Sequence, residues 1–231
     1  MLLTTNNTKI LKGEKLGYRT FGIHFAPASL SGKNVCPSSS AGCRQSCLYL
    51  SGQGYYQRVQ DARVKKTKYF FENRANFLSE LVENITTMAR RAKKNNMVPC
   101  FRLNLTSDIA WESIKVEGKS LMDMFPDVQF YDYCKGAKRM LNFLEGKFPK
   151  NYHLTFSRSE SNQTHCDIVM ACGGNVAMVF RNTLPKTYKG KTVINGDESD
   201  LRFLDPKGVI VGLVAKGVGK KDASGFIIDL E

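Results

Sequence analysis

FRLNLT at residues 101–106, VQFYDY at 128–133, YHLTF at 152–156, NVAMVF at 175–180, TVIN at 192–195 and VIVGLV at 209–214 decide the fold. Each is a short run rich in β-branched, aromatic and aliphatic side chains, which suits a pleated, buried strand. Most are separated by segments long enough for a short helix or a turn, a spacing that argues for βα units and a parallel sheet. Upstream, GYRTFGIHFAP at 17–27 alternates apolar and polar residues and supplies an earlier strand, bringing the expected number to about seven. Right-handed crossovers would curl these strands into a complete or partial (β/α) barrel of the TIM type, the fold expected here for one domain over residues 1–231. A doubly wound open sheet is the alternative.

Between the first strand and the next lie a Gly/Ser/Asn-rich loop and a helical stretch. Residues 59–95 contain no Gly or Pro, and Val64, Phe71, Phe77, Leu78, Leu81, Val82, Ile85 and Met88 recur mainly at helical spacing. One long helix or two abutting helices follow from that pattern. Its polar side carries Arg58, Arg63, Lys65, Lys66 and Lys68, with Arg90, Arg91, Lys93 and Lys94 at the far end. The helix dipole accounts for the terminal group, so only the first group hints at a ligand.

Composition narrows the function classes. The 231 residues carry 34 Lys and Arg against 21 Asp and Glu, a net charge of +13 that draws polyanions, nucleic acid foremost. Seven cysteines, an odd number unevenly spaced, do not suit a secreted disulfide framework. No run approaches the roughly 18 apolar residues of a membrane span, and MLLTTNNTKI lacks the profile of a secretory leader. A cytoplasmic protein with reduced or metal-bound thiols and no membrane partner is expected.

In either architecture the chemistry lies at the carboxyl ends of the strands. Cys36, Cys43 and Cys47 form a C-x6-C-x3-C loop after the first strand, with Arg44 beside them to favour thiolates. Three soft ligands on one loop fit zinc, with a fourth ligand from among His24, Cys134, His165, Cys166 and Cys172, or an iron–sulfur cluster with one open iron. Asp108 and Asp197 each follow a strand closely and are the candidate catalytic acids, as nucleophile or general base. Glu198 and Asp200 are alternatives, although GDESD at 196–200 also reads as a turn. Lys135, Arg139, Arg158 and Lys216 are the candidate nucleic-acid-binding residues, with Tyr131, Tyr133 and Phe156 near them for base stacking.

The cysteine loop with Leu48-Tyr49 after it, the helix that follows, and RLNLTSD, VQFYDYCK and YHLTFSRSESN resemble a bacteriophage family named after gene product 88, over most of the chain. Members pair such a loop with strands ending in Ser-Gly-Asp and Tyr-Thr-Lys. Here the matching stretches are Thr106-Ser107-Asp108 and Tyr133-Cys134-Lys135, so the aspartate and lysine persist in altered loops. More remotely, the combination resembles the DpdA-like relatives of tRNA-guanine transglycosylases, which exchange guanine in DNA for a deazaguanine base. The loop is also similar to that of a phage family related to radical S-adenosylmethionine proteins. The first likeness implies an enzyme that modifies a base in nucleic acid, DNA rather than RNA, with Asp197 attacking the sugar and Asp108 holding or deprotonating the base. The second implies catalytic cysteines on an iron–sulfur cluster, and a noncatalytic, zinc-containing nucleic-acid-binding protein is the third reading.

Overall fold

A computed structural model describes residues 1–230. Its elements in chain order are α1 (Thr8–Leu11), β1 (Tyr18–Gly22), α2 (Ala28–Ser31), α3 (Ala41–Gln45), α4 (Gln57–Glu72), α5 (Arg74–Lys94) and β2 (Val98–Arg102). There follow a small hairpin of β3 (Lys115–Val116) and β4 (Lys119–Ser120), then α6 (Leu121–Met124), β5 (Gln129–Cys134), α7 (Ala137–Leu144), β6 (Tyr152–Ser157) and α8 (Gln163–Ala171). The chain goes on through β7 (Val176–Phe180), β8 (Thr187–Tyr188), β9 (Lys191–Asn195) and β10 (Ile210–Val214). Eight strands form one sheet in the order β1-β2-β5-β6-β7-β10-β9-β8. The pairs β1–β2, β2–β5, β6–β7, β7–β10 and β10–β9 are parallel, and the short β8 joins β9 antiparallel. The protein is an α/β protein with a mostly parallel sheet, as the alternation of strand-like and longer segments indicates.

Two strand boundaries differ from the sequence expectation, each for a local reason. The first strand ends at Gly22, and beyond it the side chain of Thr106 takes over the backbone of Phe25: its Oγ1 accepts from Phe25 N at 3.0 Å and donates to Phe25 O at 2.7 Å. The second strand occupies Val98–Arg102, so the last four residues of FRLNLT are loop, held by a network of side-chain hydrogen bonds around Asn104. Pro99 is tolerated inside β2 because Val98 N bonds Gly17 O on the β1 side, so the N–H that Pro99 lacks is on the β5 side, where pairing begins only at Cys100. Of the two readings of the long helical stretch, the structure has the abutting pair: the stretch breaks at Asn73, whose φ of −139° and ψ of 59° are not helical, giving α4 and α5.

The chain divides into two compact units, the first Met1–Pro37, Tyr55–Asp132 and Phe148–His153, the second the remaining described residues. In the first, α5 buries Phe77, Leu78, Leu81, Ile85, Met88, Ala89 and Ala92 and packs on β2. Phe25, Phe70, Phe77 and Trp111 meet in one aromatic cluster, with Phe25–Phe70 centroids 5.4 Å and Phe70–Trp111 centroids 5.5 Å apart. Each such side chain contributes roughly 1.5–3 kcal/mol through burial. In the second unit, Ala215, Phe226 and Ile227 form a small core against Cys43 and Val179. There the segment near Ile228 lies beside β7, Ile228 N donating to Val179 O at 2.8 Å and Arg181 N to Ile228 O at 3.0 Å. Among the described residues no helix is long and apolar enough to cross a membrane.

Candidate functional site

In the first unit the loop after β2 is organised by a buried acid inside β5. Asp132, 1% exposed, accepts from Asn104 N at 2.8 Å, Asn104 Nδ2 at 3.1 Å and Tyr152 OH at 3.0 Å. Asn104 Oδ1 in turn accepts from Ser107 Oγ at 2.7 Å, Ile109 N at 2.9 Å and Trp111 Nε1 at 3.3 Å. A buried carboxyl group requires hydrogen-bond partners, and here the donors are also what shapes residues 104–111. Asp108 rides on that loop, half-buried, with its N–H donated to Val35 O at 2.8 Å. Cys36 lies in the same unit, its thiol 3.9 Å from Thr106 O.

A second constellation in this unit surrounds His24, just past β1. Asn7 caps α1 through its Oδ1, which accepts from Lys9 N at 2.9 Å, so its amide nitrogen faces His24 Nε2 at 3.3 Å. Nε2 is therefore the acceptor, and the ring proton sits on Nδ1, which is buried and has no hydrogen-bond partner among the described residues. Burial, followed by the charges of Arg63, Lys66 and Arg102, lowers the His24 pKa to about 3, so the ring is neutral. Burial also brings Lys66 down to about 8, aided by Arg63 and opposed by Glu80. The helix carrying both cations is stitched to the loop after β1: Ala26 N donates to Thr67 Oγ1 at 2.9 Å, and that hydroxyl donates to Arg63 O at 2.8 Å.

The second unit holds the other expected residues. Lys135 follows β5 and donates to Ser157 Oγ at 2.6 Å, with its ammonium 5.4 Å from the Phe226 ring centroid. Arg158, after β6, donates to Gly225 O at 2.8 Å and Phe226 O at 2.9 Å. Arg139 is half-buried on α7. Asp197 accepts from Val214 N at 3.0 Å and is paired with Lys216 at 2.6 Å, so these two expected residues do stand together. Arg181, the residue after β7, pairs with Asp229 and donates to Lys220 O at 2.6 Å and Asp222 O at 2.8 Å. Asp108 and Asp197 belong to different units.

The cysteine loop is fixed by Glu160. Its carboxylate accepts from Ser40 Oγ at 2.7 Å and Gly42 N at 2.8 Å, at the start of α3, where Ser40 also caps Cys43 N. Burial raises the Glu160 pKa, but these hydrogen bonds prevail and hold it below the usual carboxylate range. Gly42 is needed for the close approach, since a Cβ there would stand 2.2 Å from Ser224 Oγ and 2.8 Å from Phe226 Cβ. Cys36, Cys43 and Cys47 are half-buried and, like the other four cysteines, outside any disulfide. Among the described residues no group of three or more His, Cys, Asp and Glu side chains is gathered as a metal ion requires. Of the other thiols named as ligands, Cys166 is pushed up to about 11 by burial, which disfavours a thiolate.

No curated protein and no solved structure matches the chain. The family model described as Gene product 88 matches residues 1–230, and the chain belongs to that family.

Proposed function

We propose that the chain binds nucleic acid and modifies a base or its sugar at the carboxyl ends of its parallel strands, which in this reading curl towards a complete or partial barrel. One observation carries the proposal. In the second unit β5, β6 and β10 run into Lys135, Arg158 and Lys216, and β9 runs into Asp197, at the edge where parallel sheets take their ligands. The net charge of +13 supplies the attraction for a polyanion. Asp197 is held by a backbone amide on one oxygen and by Lys216 on the other. A substrate phosphate competes for the exposed Lys216 ammonium and so uncovers one carboxylate oxygen. In a base exchange that oxygen bonds to the sugar C1′ as the glycosidic bond breaks, the departing base takes a proton from water, and the incoming base, losing a proton, displaces the carboxylate.

The test is binding of single- and double-stranded DNA and RNA over a range of salt concentrations. Lys135→Gln, Arg139→Gln and Lys216→Gln together should flatten the log–log salt slope by about 2 to 3, at about 0.7–0.9 per phosphate contact. Lys93→Gln with Lys94→Gln, at the end of α5, should leave it unchanged. Asp197→Asn should bind as well as the wild type and form no covalent adduct. Absence of binding at low salt, or an unchanged slope in the triple variant, would overturn the proposal.

A further inference from the structure

The geometry points to a binding site for a small organic anion with a flat apolar body, in a recess between the last turns of α5 and the turn that leads into β5. The recess has a volume of about 360 Å³, within the roughly 300–1,000 Å³ of sites that take small molecules. Its lining belongs wholly to the first unit, so the inference is independent of the nucleic-acid reading, which rests on the second. The bottom is apolar: Ala89 and Val128 are buried, and Met124 and Phe125 are half-buried. One wall is fixed before any ligand arrives. Val128 N donates to Phe125 O at 3.1 Å, closing a turn around Pro126 and Asp127. Asn151 Nδ2 secures that turn from behind, donating to Phe125 O and Val128 O at 2.9 Å each and to Met122 O at 3.1 Å.

The facing wall supplies charge. Thr86, Ala89, Arg90 and Lys93 stand at positions i, i+3, i+4 and i+7 of α5 and so share one side of the helix. The dipole explains why the end of α5 is basic, but of its four terminal cations only Arg90 and Lys93 line the recess. Both are exposed at its mouth, and neither side chain makes an ion pair or hydrogen bond among the described residues. The same holds for Asp127, the one acid of the lining, so two cations stand against one carboxylate. Thr86 Oγ1 is engaged with Val82 O at 2.9 Å. The carbonyls at the end of α5, which would repel an anion, are covered: Asn95 N donates to Ala92 O, Asn96 N to Lys93 O and Met97 N to Ala92 O, each at 3.0 Å. An apolar floor below two uncommitted cations is complementary to a ring that carries a carboxylate or a phosphate monoester. The ring displaces water from Met124 and Phe125, and Arg90 and Lys93 meet the anionic group. A neutral apolar molecule would leave the cations unused, and an inorganic anion would leave the floor wet.

The probe is 2-naphthoate, titrated into the intact protein at constant ionic strength and followed by the backbone amide signals in NMR. Binding should shift the amides of Ala89, Arg90, Asp127 and Val128. Its neutral counterpart 2-naphthylmethanol, and acetate, which has the charge without the rings, should each bind about tenfold more weakly or worse. Arg90→Gln with Lys93→Gln, at exposed positions where Gln keeps the helix, should weaken naphthoate about tenfold and leave naphthylmethanol unchanged. Comparison with 2-naphthyl phosphate identifies the headgroup, the tighter ligand of the two naming it. Three results would overturn the inference. The first is that naphthoate moves none of these amides, or binds no better than naphthylmethanol. The second is that a short single-stranded oligonucleotide displaces naphthoate from them, which makes the recess part of a nucleic-acid interface. The third is that the same amides shift with protein concentration alone, which makes it an interface between copies of the chain.

Discussion

At the scale of single residues, His24 governs how the protein responds to acid. Its folded pKa of about 3 lies below the ordinary 6.5, so between those values the unfolded chain binds a proton that the folded chain refuses. Stability from this residue is complete above pH 6.5 and is lost as the pH falls towards 3. At about 1.4 kcal/mol per pH unit, the protein should be roughly 2 kcal/mol less stable at pH 5 than at pH 6.5. Urea unfolding in chloride buffers should show that slope, and His24→Gln should flatten it. The sequence exposed His24 only as one of several metal-ligand candidates, because nothing in the primary structure places Arg102 beside it. Asp132 was hidden for a related reason: it lies inside VQFYDY, where an acid reads as the solvent side of a strand, yet it is buried and organises the loop that carries Asp108.

At the scale of elements, the hold of Glu160 on the start of α3 sets the exposure of the cysteine loop. Replacing Glu160 by Ala removes two charge-assisted hydrogen bonds, each worth about 1.5–3 kcal/mol. Cys43 and Cys47 should then react with a thiol reagent severalfold faster, while buried Cys100, whose pKa burial pushes up to about 12, stays slow. Unchanged rates at Cys43 and Cys47 would mean that the loop is secured elsewhere. The elements themselves were largely legible. Runs such as NVAMVF and VIVGLV became β7 and β10, because a strand buried on both faces must be continuously apolar. Only two-residue strands such as β8 escaped, being too short to carry a period. Two abutting helices were expected as one alternative, but the place of the break, Asn73, was not, since no Gly or Pro marks it.

At the scale of the whole molecule, the parallel character of the sheet followed from strand-like runs separated by longer segments. Strand order did not, because it is set by which distant runs pair and no local pattern records that. The largest such separation in the first unit has a consequence in time. Tyr18 pairs with Val98 across a loop of about 80 residues, whose closure costs about 4 kcal/mol in chain entropy. By contrast, α4 and α5 follow each other directly and pack together without any such closure. Refolding of this half should therefore be ordered: in pulse-labelled hydrogen exchange the amides of α4 and α5 gain protection first, and Phe21 and Ile23 only when β2 is already in place to receive β1. The residues around His24 straddle that last event, with Arg63 and Lys66 on the early helix and His24 just past the late strand. The covered, neutral state of the His24 ring thus comes into existence at the closing step of folding, so acid that protonates the ring loosens the slowest pairing in the unit, hastening unfolding while leaving the rate of folding unchanged.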